Sequence, residues 1–413
     1  MTETADKTRV MTRRAAFALV LTGLAGSAIH SRMPLLPAAK PAAKPKPVAL
    51  NAPKFDWPSL TALGQTMVDR KLTPGLSLSV MHDGELFYSK GFGIANLDTG
   101  AAVTPQTGFR IASITKQFTA AAILLLAEDG KLAVTDPLSK FLPEFPRAGD
   151  VTLRQLMSHT AGLSDYINGQ NHDLLVTAQR TDYTSDEVIR IIQNRTPLYR
   201  AAPGATWLYS NSGFALLGII VERVSGLAFA DFCAQRLFAP AGMAATAIDR
   251  TCTSANGCSG YRPDYRAPHG FDTNVPVSPS FIGGAGAIRS TTEDLVLWHK
   301  ALLDGKVLKP QSLNAMLTPV LLKSGAPAME RRGEEPLEYG YGMGLGTVNN
   351  LRLMSHGGRV NGFTGHLRSL PDQKLTVAIL YNCDGSGAGG FMPIQKKLRT
   401  EATRLGLSAL GLA

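Results

Sequence analysis

The chain has 413 residues, of which 44% are hydrophobic and 18% charged, a composition that can bury a sizeable core and excludes a disordered chain. Most of its net charge of +10 lies at the N-terminus, where residues 1–56 carry nine Lys and Arg against three Asp and Glu. Because the remaining chain is only mildly basic and contains no basic run, we expect no nucleic-acid partner.

The N-terminal segment has the pattern of an export signal. Arg13 and Arg14 precede an apolar stretch, Ala15 to Ile29, that is too short to span a bilayer comfortably. This order is typical of a secretory signal, and the paired arginines resemble a twin-arginine signal. We therefore predict a signal sequence at residues 1–29 and a periplasmic or secreted protein. An uncleaved inner-membrane anchor is the alternative.

The rest of the chain divides into a spacer and a folded domain. Residues 30–56 are rich in Pro, Ala and Lys, so this segment cannot bury a core and is predicted to be an extended linker. Residues 57–413 alternate between helical and strand patterns. The predicted elements are a helix at Leu60–Val68, strands at Gly75–Met81 and Glu85–Phe92, helices at Phe118–Ala127, Leu153–His159, Thr184–Gln193 and Ser212–Val224, strands at Gly340–Val348, Leu351–Ser355, His366–Leu370 and Leu375–Tyr381, and a helix at Pro393–Leu405.

Strands from both ends of this domain enclose a helical middle. We therefore predict an α/β fold in which an antiparallel sheet is flanked by helices and carries a mainly helical insertion subdomain.

The four cysteines are too few for a disulfide scaffold of this size. Cys252 and Cys258 are close enough in sequence to close a small loop in an oxidising compartment, whereas Cys233 and Cys383 are predicted to be buried single thiols. The chain has no H-E-x-x-H motif and no second Cys/His pair at ligand spacing. We therefore expect neither a metal site nor a cofactor.

The tetrad from Ser113 to Lys116 stands at the head of the most apolar predicted helix. A serine in the first helical turn lies beside unpaired backbone N–H groups, which stabilise developing negative charge. Lys116 returns to the same helix face about one turn later, close enough to exchange a proton with the serine hydroxyl. The alternative for this common spacing is a capping serine and a lysine that extends to solvent.

Two further motifs have the residue types that such a pair needs. Tyr209 and Asn211 precede a predicted helix and, in an extended segment, point to the same side. His356, Gly357 and Gly358 follow a predicted strand, and the glycines allow a ligand to approach the backbone closely. The order S-x-x-K, Y-x-N, H-x-G is far more specific than any of the three motifs alone.

With these motifs the sequence resembles the serine β-lactamase and penicillin-binding protein superfamily, most closely its class C-like branch of D,D-carboxypeptidases, D-aminopeptidases and related esterases. The resemblance covers about residues 57–400 and implies the β-lactamase/transpeptidase-like fold. It extends to Leu153–Leu156 with His159–Leu163, to Pro203 and Gly204, to Gly283–Gly286, and to Gly362 and Phe363. His159 is expected to be a packing residue at a helix end.

The resemblance also implies roles for individual residues. Ser113 would attack the acyl carbon and form an acyl-enzyme, with Lys116 and Tyr209 sharing the general-base work. Asn211 would hydrogen-bond the substrate amide or orient Lys116. The backbone N–H groups of Ser113 and Arg359 would form the oxyanion hole.

Two departures from the family pattern bear on the substrate. His356 stands where penicillin-hydrolysing members usually carry the lysine of Lys-Thr-Gly, and no class A pattern of a deacylating glutamate is present. The resemblance implies a serine hydrolase acting on D-amino-acid peptides, esters or β-lactams, with a small molecule or short peptide as its partner and association with the cell wall. The alternative is a non-catalytic or penicillin-binding recognition protein on the same fold.

Overall fold

The computed structural model describes residues 47–168, 172–248, 258–331, 336–385 and 389–412. The predicted signal sequence and most of the predicted spacer lie outside these residues, as does Cys252 of the predicted Cys252 and Cys258 pair. Cys233, Cys258 and Cys383 are buried free thiols.

The strands in the described part of the chain are β1 Gly75–His82, β2 Glu85–Asn96, β3 Ala101–Ala102, β4 Phe109–Arg110, β5 Ala247–Ile248, β6 Tyr261–Pro263, β7 Phe271–Thr273, β8 Ile288–Ser290, β9 Met329–Glu330, β10 Leu337–Tyr339, β11 Gly344–Val348, β12 Leu351–Val360, β13 Phe363–Leu370 and β14 Leu375–Tyr381. Nine of these described strands form one antiparallel sheet in the order β3-β2-β1-β14-β13-β12-β11-β10-β9. The strands β4, β8 and β5 form a small second sheet, and β6 pairs with β7.

The α-helices in the same residues are α1 Pro58–Asp69, α2 Thr115–Glu128, α3 Leu153–Met157, α4 His172–Ala178, α5 Ser185–Gln193, α6 Asn211–Ser225, α7 Phe229–Cys233, α8 Ala239–Ala241, α9 Pro279–Ile282, α10 Thr292–Leu303, α11 Pro310–Met316 and α12 Phe391–Ala409. Helices α2 to α11 lie in the chain between the N-terminal and C-terminal strands of the large sheet.

The centre of the sheet joins the two ends of the domain, because β1 pairs with β14 from Leu76 opposite Tyr381 to His82 opposite Leu375. Every residue of β14 is buried, since helices cover both faces of the sheet. Val377 and Ile379 belong to the core beneath α1 and α12. Their neighbours Ala378 and Leu380 belong to the core on the opposite face, with α2, α6 and α10.

Helix α2 runs through the second of these cores, and its residues from Thr115 to Leu126 are all buried. It packs against α6 and against the segment Gly283–Ala285. A helix that is buried on all sides is enclosed by other elements. The residues at its N-terminus are therefore held in place from several directions.

The predicted fold class is confirmed, and the main differences are at element ends. The predicted strand Gly340–Val348 begins only at Gly344, as β11, because the chain bends between β10 and β11 at Gly342, which has a φ of 65°. Helix α3 ends at Met157, because His159 has a φ of 59°, which a helix does not accommodate. Helix α6 begins at Asn211 and ends at Gly226, whose φ of 72° is typical of a helix C-terminus.

Within the described residues no single helix has the length and apolar character needed to cross a membrane. Helix α6 and the segment Phe229–Ala241 meet that test only together, as a pair bent by 81°.

Candidate active site

Ser113 lies in a single 3-10 turn, Ala112–Ile114, that continues directly into α2. The preceding residue, Ala112, has a φ of 48°, a left-handed conformation that residues with a side chain rarely adopt. Such local strain persists only where the surrounding structure imposes it, and it occurs often at functional sites. Here the strained turn places Ser113 in the wall of a cavity of about 700 Å³.

Lys116 is completely buried, and its ammonium group has a partner for each of its three protons. Nζ donates to Ser113 Oγ at 3.0 Å, to Asn211 Oδ1 at 2.8 Å and to the Ala285 carbonyl at 2.8 Å. It also lies 4.8 Å from the centre of the Tyr209 ring. These contacts offset the cost of burying the charge and exclude the alternative of a lysine that extends to solvent.

Tyr209 lies two residues before the start of α6 and contacts the same serine. Its hydroxyl donates to Ser113 Oγ at 2.6 Å, and its ring is half-buried. The ring of His159 packs against it with 4.3 Å between ring centres, and His159 Nδ1 accepts from the backbone N–H of Ser210 at 3.1 Å. His159 is thus a packing residue, as the sequence predicts, and the residue that it packs against is Tyr209.

Asn211 is the first residue of α6, and its amide has a fixed orientation. Oδ1 accepts from Lys116, while Nδ2 donates to Asp165 Oδ2 at 2.8 Å. Sequence analysis did not identify Asp165, although it lies two residues after the segment from His159 to Leu163 that carries part of the family resemblance. Asp165 connects the Lys116 contacts to the loop that forms one side of the cavity.

His356 is buried, and both of its ring nitrogens have partners. Nδ1 lies 2.6 Å from the Gly357 carbonyl, which can only accept, so Nδ1 carries a proton. Nε2 lies 2.9 Å from the hydroxyl of Tyr339, a completely buried residue that sequence analysis also missed. Both partners are uncharged groups, and a neutral ring satisfies both of them when Tyr339 donates.

Strand β12 passes beside Ser113 with a free edge. Strand β11 pairs with β12 only as far as Ser355, so among the described strands the segment from His356 to Val360 has a neighbour on one side alone, β13. At Gly358 a Cβ atom would lie 2.2 Å from the Ile111 carbonyl oxygen and 3.2 Å from the Ser113 nitrogen. Only glycine fits here, and the β12 backbone is brought against the backbone of Ser113.

The two neighbours of Gly358 in β12, Gly357 and Arg359, do not approach the backbone of Ser113 in this way. A Cβ at Gly357 would meet nothing closer than 3.8 Å, so sterics do not require glycine there. Arg359 is exposed and, by alternation along the strand, its side chain lies on the face opposite to that of Gly358. All eight residues that the sequence singled out nevertheless line the cavity or contact one of its lining residues. They are Ser113, Lys116, Tyr209, Asn211, His356, Gly357, Gly358 and Arg359.

In the described parts of the chain, no group of three or more His, Cys, Asp or Glu side chains is arranged to hold a metal ion. Around Ser113, the polar groups are the Tyr209 hydroxyl, the Asn211 amide and the buried Lys116 ammonium group, while carboxylate, guanidinium and imidazole side chains line other parts of the cavity. This is the donor set of a nucleophilic site, in which a hydroxyl is flanked by groups that accept and donate protons.

Comparison with known families agrees with this geometry. The model of the family described as Beta-lactamase matches residues 60–399, which is most of the chain. The chain belongs to the beta-lactamase family. Among the relatives of this family member, a penicillin-binding protein of Bacillus subtilis (strain 168) is 30% identical over 339 residues, which are 78% of this chain and 71% of the relative.

A D-aminopeptidase of Brucella ovis is 26% identical over 336 residues, which are 81% of this beta-lactamase family chain. The aligned part is only 61% of the length of the D-aminopeptidase. Among solved structures, the octameric penicillin-binding protein homologue from Pyrococcus abyssi is 27% identical with a TM-score of 0.70, and covers 85% of this chain and 78% of its own. The D-amino acid amidase from Ochrobactrum anthropi SV3 also has a TM-score of 0.70, at 24% identity over 84% of this chain and 99% of its own, and shows the shared fold.

Proposed function

We propose that this beta-lactamase family member is an exported serine hydrolase that cleaves an amide or ester bond through an acyl intermediate on Ser113. The observation that supports it best is the double contact of Ser113 Oγ, with Lys116 Nζ at 3.0 Å and the Tyr209 hydroxyl at 2.6 Å, at the wall of the cavity. A serine that only stabilised the helix would need neither contact.

In the acylation step, Tyr209 takes the proton and Lys116 supplies the positive charge. Lys116 is completely buried, whereas Tyr209 is half-buried and lines the cavity, so Tyr209 is the group that can also reach the departing atom of the substrate. In this role Tyr209 acts as its phenolate, and Lys116 Nζ, 4.8 Å from the centre of the Tyr209 ring, supplies the compensating positive charge. As Ser113 Oγ bonds to the acyl carbon, its proton passes to Tyr209 and then to the departing nitrogen or oxygen of the substrate.

The carbonyl oxygen of the substrate becomes negative in this step and needs donors nearby. The backbone N–H groups of Ser113 and Arg359 take that role, because the close approach at Gly358 brings the free edge of β12 against Ser113. In a site shielded from water such donors lower the barrier substantially. A water molecule then attacks the acyl carbon and loses a proton to Tyr209; the bond between that carbon and Ser113 Oγ breaks, and Tyr209 returns the proton to Ser113 Oγ.

The substrates that we propose are D-amino-acid peptides, small esters and β-lactams. The names of the relatives, penicillin-binding protein and D-aminopeptidase, support the peptide and β-lactam classes. The contacts of His356 support the inclusion of neutral esters, since both of its ring nitrogens face uncharged partners. We do not assign the chain to a dedicated β-lactamase.

Intact-protein mass spectrometry tests the proposal. After exposure to a fluorophosphonate or to a penicillin, we expect a covalent adduct that maps to Ser113 and is absent from Ser113→Ala. Unlabelled wild-type protein without hydrolytic activity would instead support the alternative of a non-catalytic recognition protein on the same fold.

Export has its own test. Replacing Arg13 and Arg14 by lysine should leave folded precursor in the cytoplasm if these residues form a twin-arginine signal. Unchanged export of the lysine variant would point to the general secretory route or to a membrane anchor.

A further inference from the structure

A second cavity, of about 910 Å³, adjoins the one that contains Ser113. Tyr209 and Asn168 line both cavities, so the two meet at the side chain that contacts Ser113 Oγ. We call it the Trp207 cavity after the aromatic residue in its wall. None of the roles assigned above uses it.

The wall of the Trp207 cavity is largely apolar. The apolar lining residues are Leu163, Trp207, Leu208, Leu322, Ala326, Pro327 and Met329. The Trp207 ring is half-buried and packs 6.1 Å from the Tyr209 ring and 5.7 Å from the Tyr339 ring. These contacts fix its orientation, so that the indole offers a preformed surface for a flat or aliphatic group.

Two cations are also part of this lining. Arg200 and Arg331 are both exposed, and neither makes an ion pair with any residue that the structure describes. The lining includes one carboxylate, that of Asp165. Its oxygens accept hydrogen bonds from backbone or side-chain N–H groups of Ile167, Asn168 and Asn211. The cavity therefore combines an apolar wall with an excess of positive charge.

The proposed chemistry determines which half of a substrate reaches this cavity. The departing atom must lie beside the group that holds the proton of Ser113. Lys116 is completely buried, whereas Tyr209 is half-buried and lines both cavities. The departing atom therefore lies at Tyr209, while the acyl carbonyl lies between Ser113 and β12. The leaving group extends past Tyr209 into the Trp207 cavity.

We propose that the Trp207 cavity binds the leaving group of the substrate and selects an apolar or aromatic group that ends in a carboxylate, with Arg200 and Arg331 binding the carboxylate. This inference rests on the proposed acyl-serine function. A peptide cleaved ahead of its C-terminal residue has such a leaving group, since the released residue carries a free carboxylate.

The test uses two esters with the same acyl group, 4-acetoxybenzoate and 4-acetoxybenzamide. Both acetylate Ser113, but only the first releases an anion, so their ratio of kcat/KM isolates recognition of the leaving group. Each value is divided by the alkaline hydrolysis rate of the same ester to remove intrinsic reactivity. We expect wild-type protein to prefer the benzoate, and added salt to weaken the preference.

Arg200→Gln and Arg331→Gln should each lower this corrected ratio by about two- to fivefold, the range for one exposed ion pair. Arg190→Gln is the matched control, because Arg190 is exposed on α5 and lines neither cavity. A ratio that neither substitution changes, or that Arg190→Gln lowers equally, would overturn the inference, as would a wild-type preference for the neutral amide.

Mass spectrometry of the same reactions distinguishes a failure of the Trp207 cavity assignment from a failure of the proposed acyl-serine function. An acetyl group on Ser113 from both esters, combined with a ratio that the arginines do not affect, would overturn only the Trp207 cavity assignment. Turnover by Ser113→Ala equal to that of wild type, with no acetyl-enzyme, would overturn the proposed function and this inference together.

Discussion

Lys116 and Gln117 are neighbours in α2, and both are completely buried polar residues. Lys116 donates to Ser113, Asn211 and Ala285 at the wall of the large cavity. Gln117 points into the core, where its Oε1 lies 3.1 Å from Trp298 Nε1 and 2.9 Å from His299 Nε2. One helix thus supports two buried polar networks on different sides.

The Gln117 network is enclosed in the core, although Gln117 Nε2 itself has no hydrogen-bond partner among the described residues. His299 Nδ1 lies 2.6 Å from Ser369 Oγ, which lies 2.6 Å from Thr376 Oγ1, and all of these residues are buried. Burial lowers the pKa of His299 to about 3, so the ring stays neutral at physiological pH. The network joins α2 and α10 to the sheet and has no opening to a ligand.

The comparison shows that buried polarity alone does not distinguish a functional site. Both networks contain hydroxyl groups and a nitrogen that can hold a proton. The Lys116 network differs because its terminal hydroxyls, Ser113 and Tyr209, line a cavity and lie beside the free edge of β12. Substitutions on the two sides of α2 should therefore separate activity from stability.

The largest effects on hydrolysis are expected from substitutions in the Lys116 network. Ser113→Ala should abolish hydrolysis and covalent labelling, because no other described group can form the acyl bond in its place. Lys116→Ala and Tyr209→Phe should each lower kcat/KM by about two to four orders of magnitude, since each removes a group from proton transfer. Initial rates with an activated ester measure both effects.

Urea unfolding is the control for these three variants. Ser113→Ala and Tyr209→Phe remove single hydroxyl groups at the cavity wall, so their midpoints should stay close to that of wild type. A rate for Lys116→Ala or Tyr209→Phe equal to the wild-type rate would remove that residue from the proton-transfer step.

The next effect concerns β12, where two adjacent glycines form a matched pair. Gly358→Ala would press a Cβ against the Ile111 carbonyl and should cost about 1–3 kcal/mol of stability. It should also displace the oxyanion donors and lower kcat by at least about two orders of magnitude. Gly357→Ala has room for its Cβ and should leave both quantities nearly unchanged. Equal losses in the two variants would contradict the assigned contact between β12 and Ser113.

Substitutions in the Gln117 network should lower the stability of the protein while its activity is retained. Gln117→Leu leaves the N–H of Trp298 without its acceptor and should lower the free energy of unfolding by about 1–3 kcal/mol. Its kcat/KM for the ester should stay near the wild-type value, since the Gln117 side chain hydrogen-bonds to Trp298 and His299 on the side of α2 away from Ser113. A large loss of activity in the folded variant would show that the two networks are coupled.

The same network predicts a pH dependence. The unfolded chain protonates His299 near its ordinary pKa of 6.5, whereas the folded chain does so only at about 3. Stability from this residue is therefore full above pH 6.5 and decreases as the pH falls toward 3. The difference in unfolding free energy between wild type and His299→Gln should shrink over this window. Asp294, whose pKa burial raises to about 6, is present in both proteins and cancels.

Much of the fold could be predicted from local patterns. Alternation between turns predicts β1, β2 and β14 closely, and Gly226 correctly marks the end of α6. The sequence predicts that β12 ends at Ser355, whereas the strand continues to Val360. Its last residues are not predicted because Gly357 and Gly358 carry no side chains whose alternation would indicate a strand. Strands of two or three residues, such as β4 and β8, are too short to give a periodic signal.

The order of the three motifs in the sequence predicted which residues lie around Ser113. It could not predict the residues that hydrogen-bond to the side chains of the second and third motifs. Asp165 contacts Asn211, 46 positions away, and Tyr339 contacts His356, 17 positions away. A single aspartate or tyrosine in a loop or short strand has no periodicity that points to its partner. Only the folded chain shows that these two residues orient the side chains of the second and third motifs.

The smallest expected effect is on the preference of the third motif, His356 to Gly358, for neutral over negatively charged substrates. Arg368 and Arg399 also line the cavity. At the third motif itself, the two ring nitrogens of His356 contact uncharged groups and the Arg359 side chain lies on the other face of β12, so this motif has no counterpart of the family's lysine. With Arg200 and Arg331 both replaced by glutamine, so that the Trp207 cavity adds no positive charge, an activated short-chain ester should therefore be hydrolysed faster at neutral pH than a chromogenic cephalosporin, whose carboxylate lies beside the departing nitrogen. The ratio of the two kcat/KM values measures this preference.

His356→Lys should shift that ratio toward the cephalosporin by about two- to fivefold, the contribution of one exposed ion pair, because the Tyr339 hydroxyl can accept from the new ammonium group and hold it in place. Arg359→Ala should leave the ratio unchanged. If the double glutamine variant prefers the cephalosporin and only Arg359→Ala reverses that preference, the charge at this site comes from Arg359, and the orientation of its side chain away from Ser113 does not hold when substrate is bound.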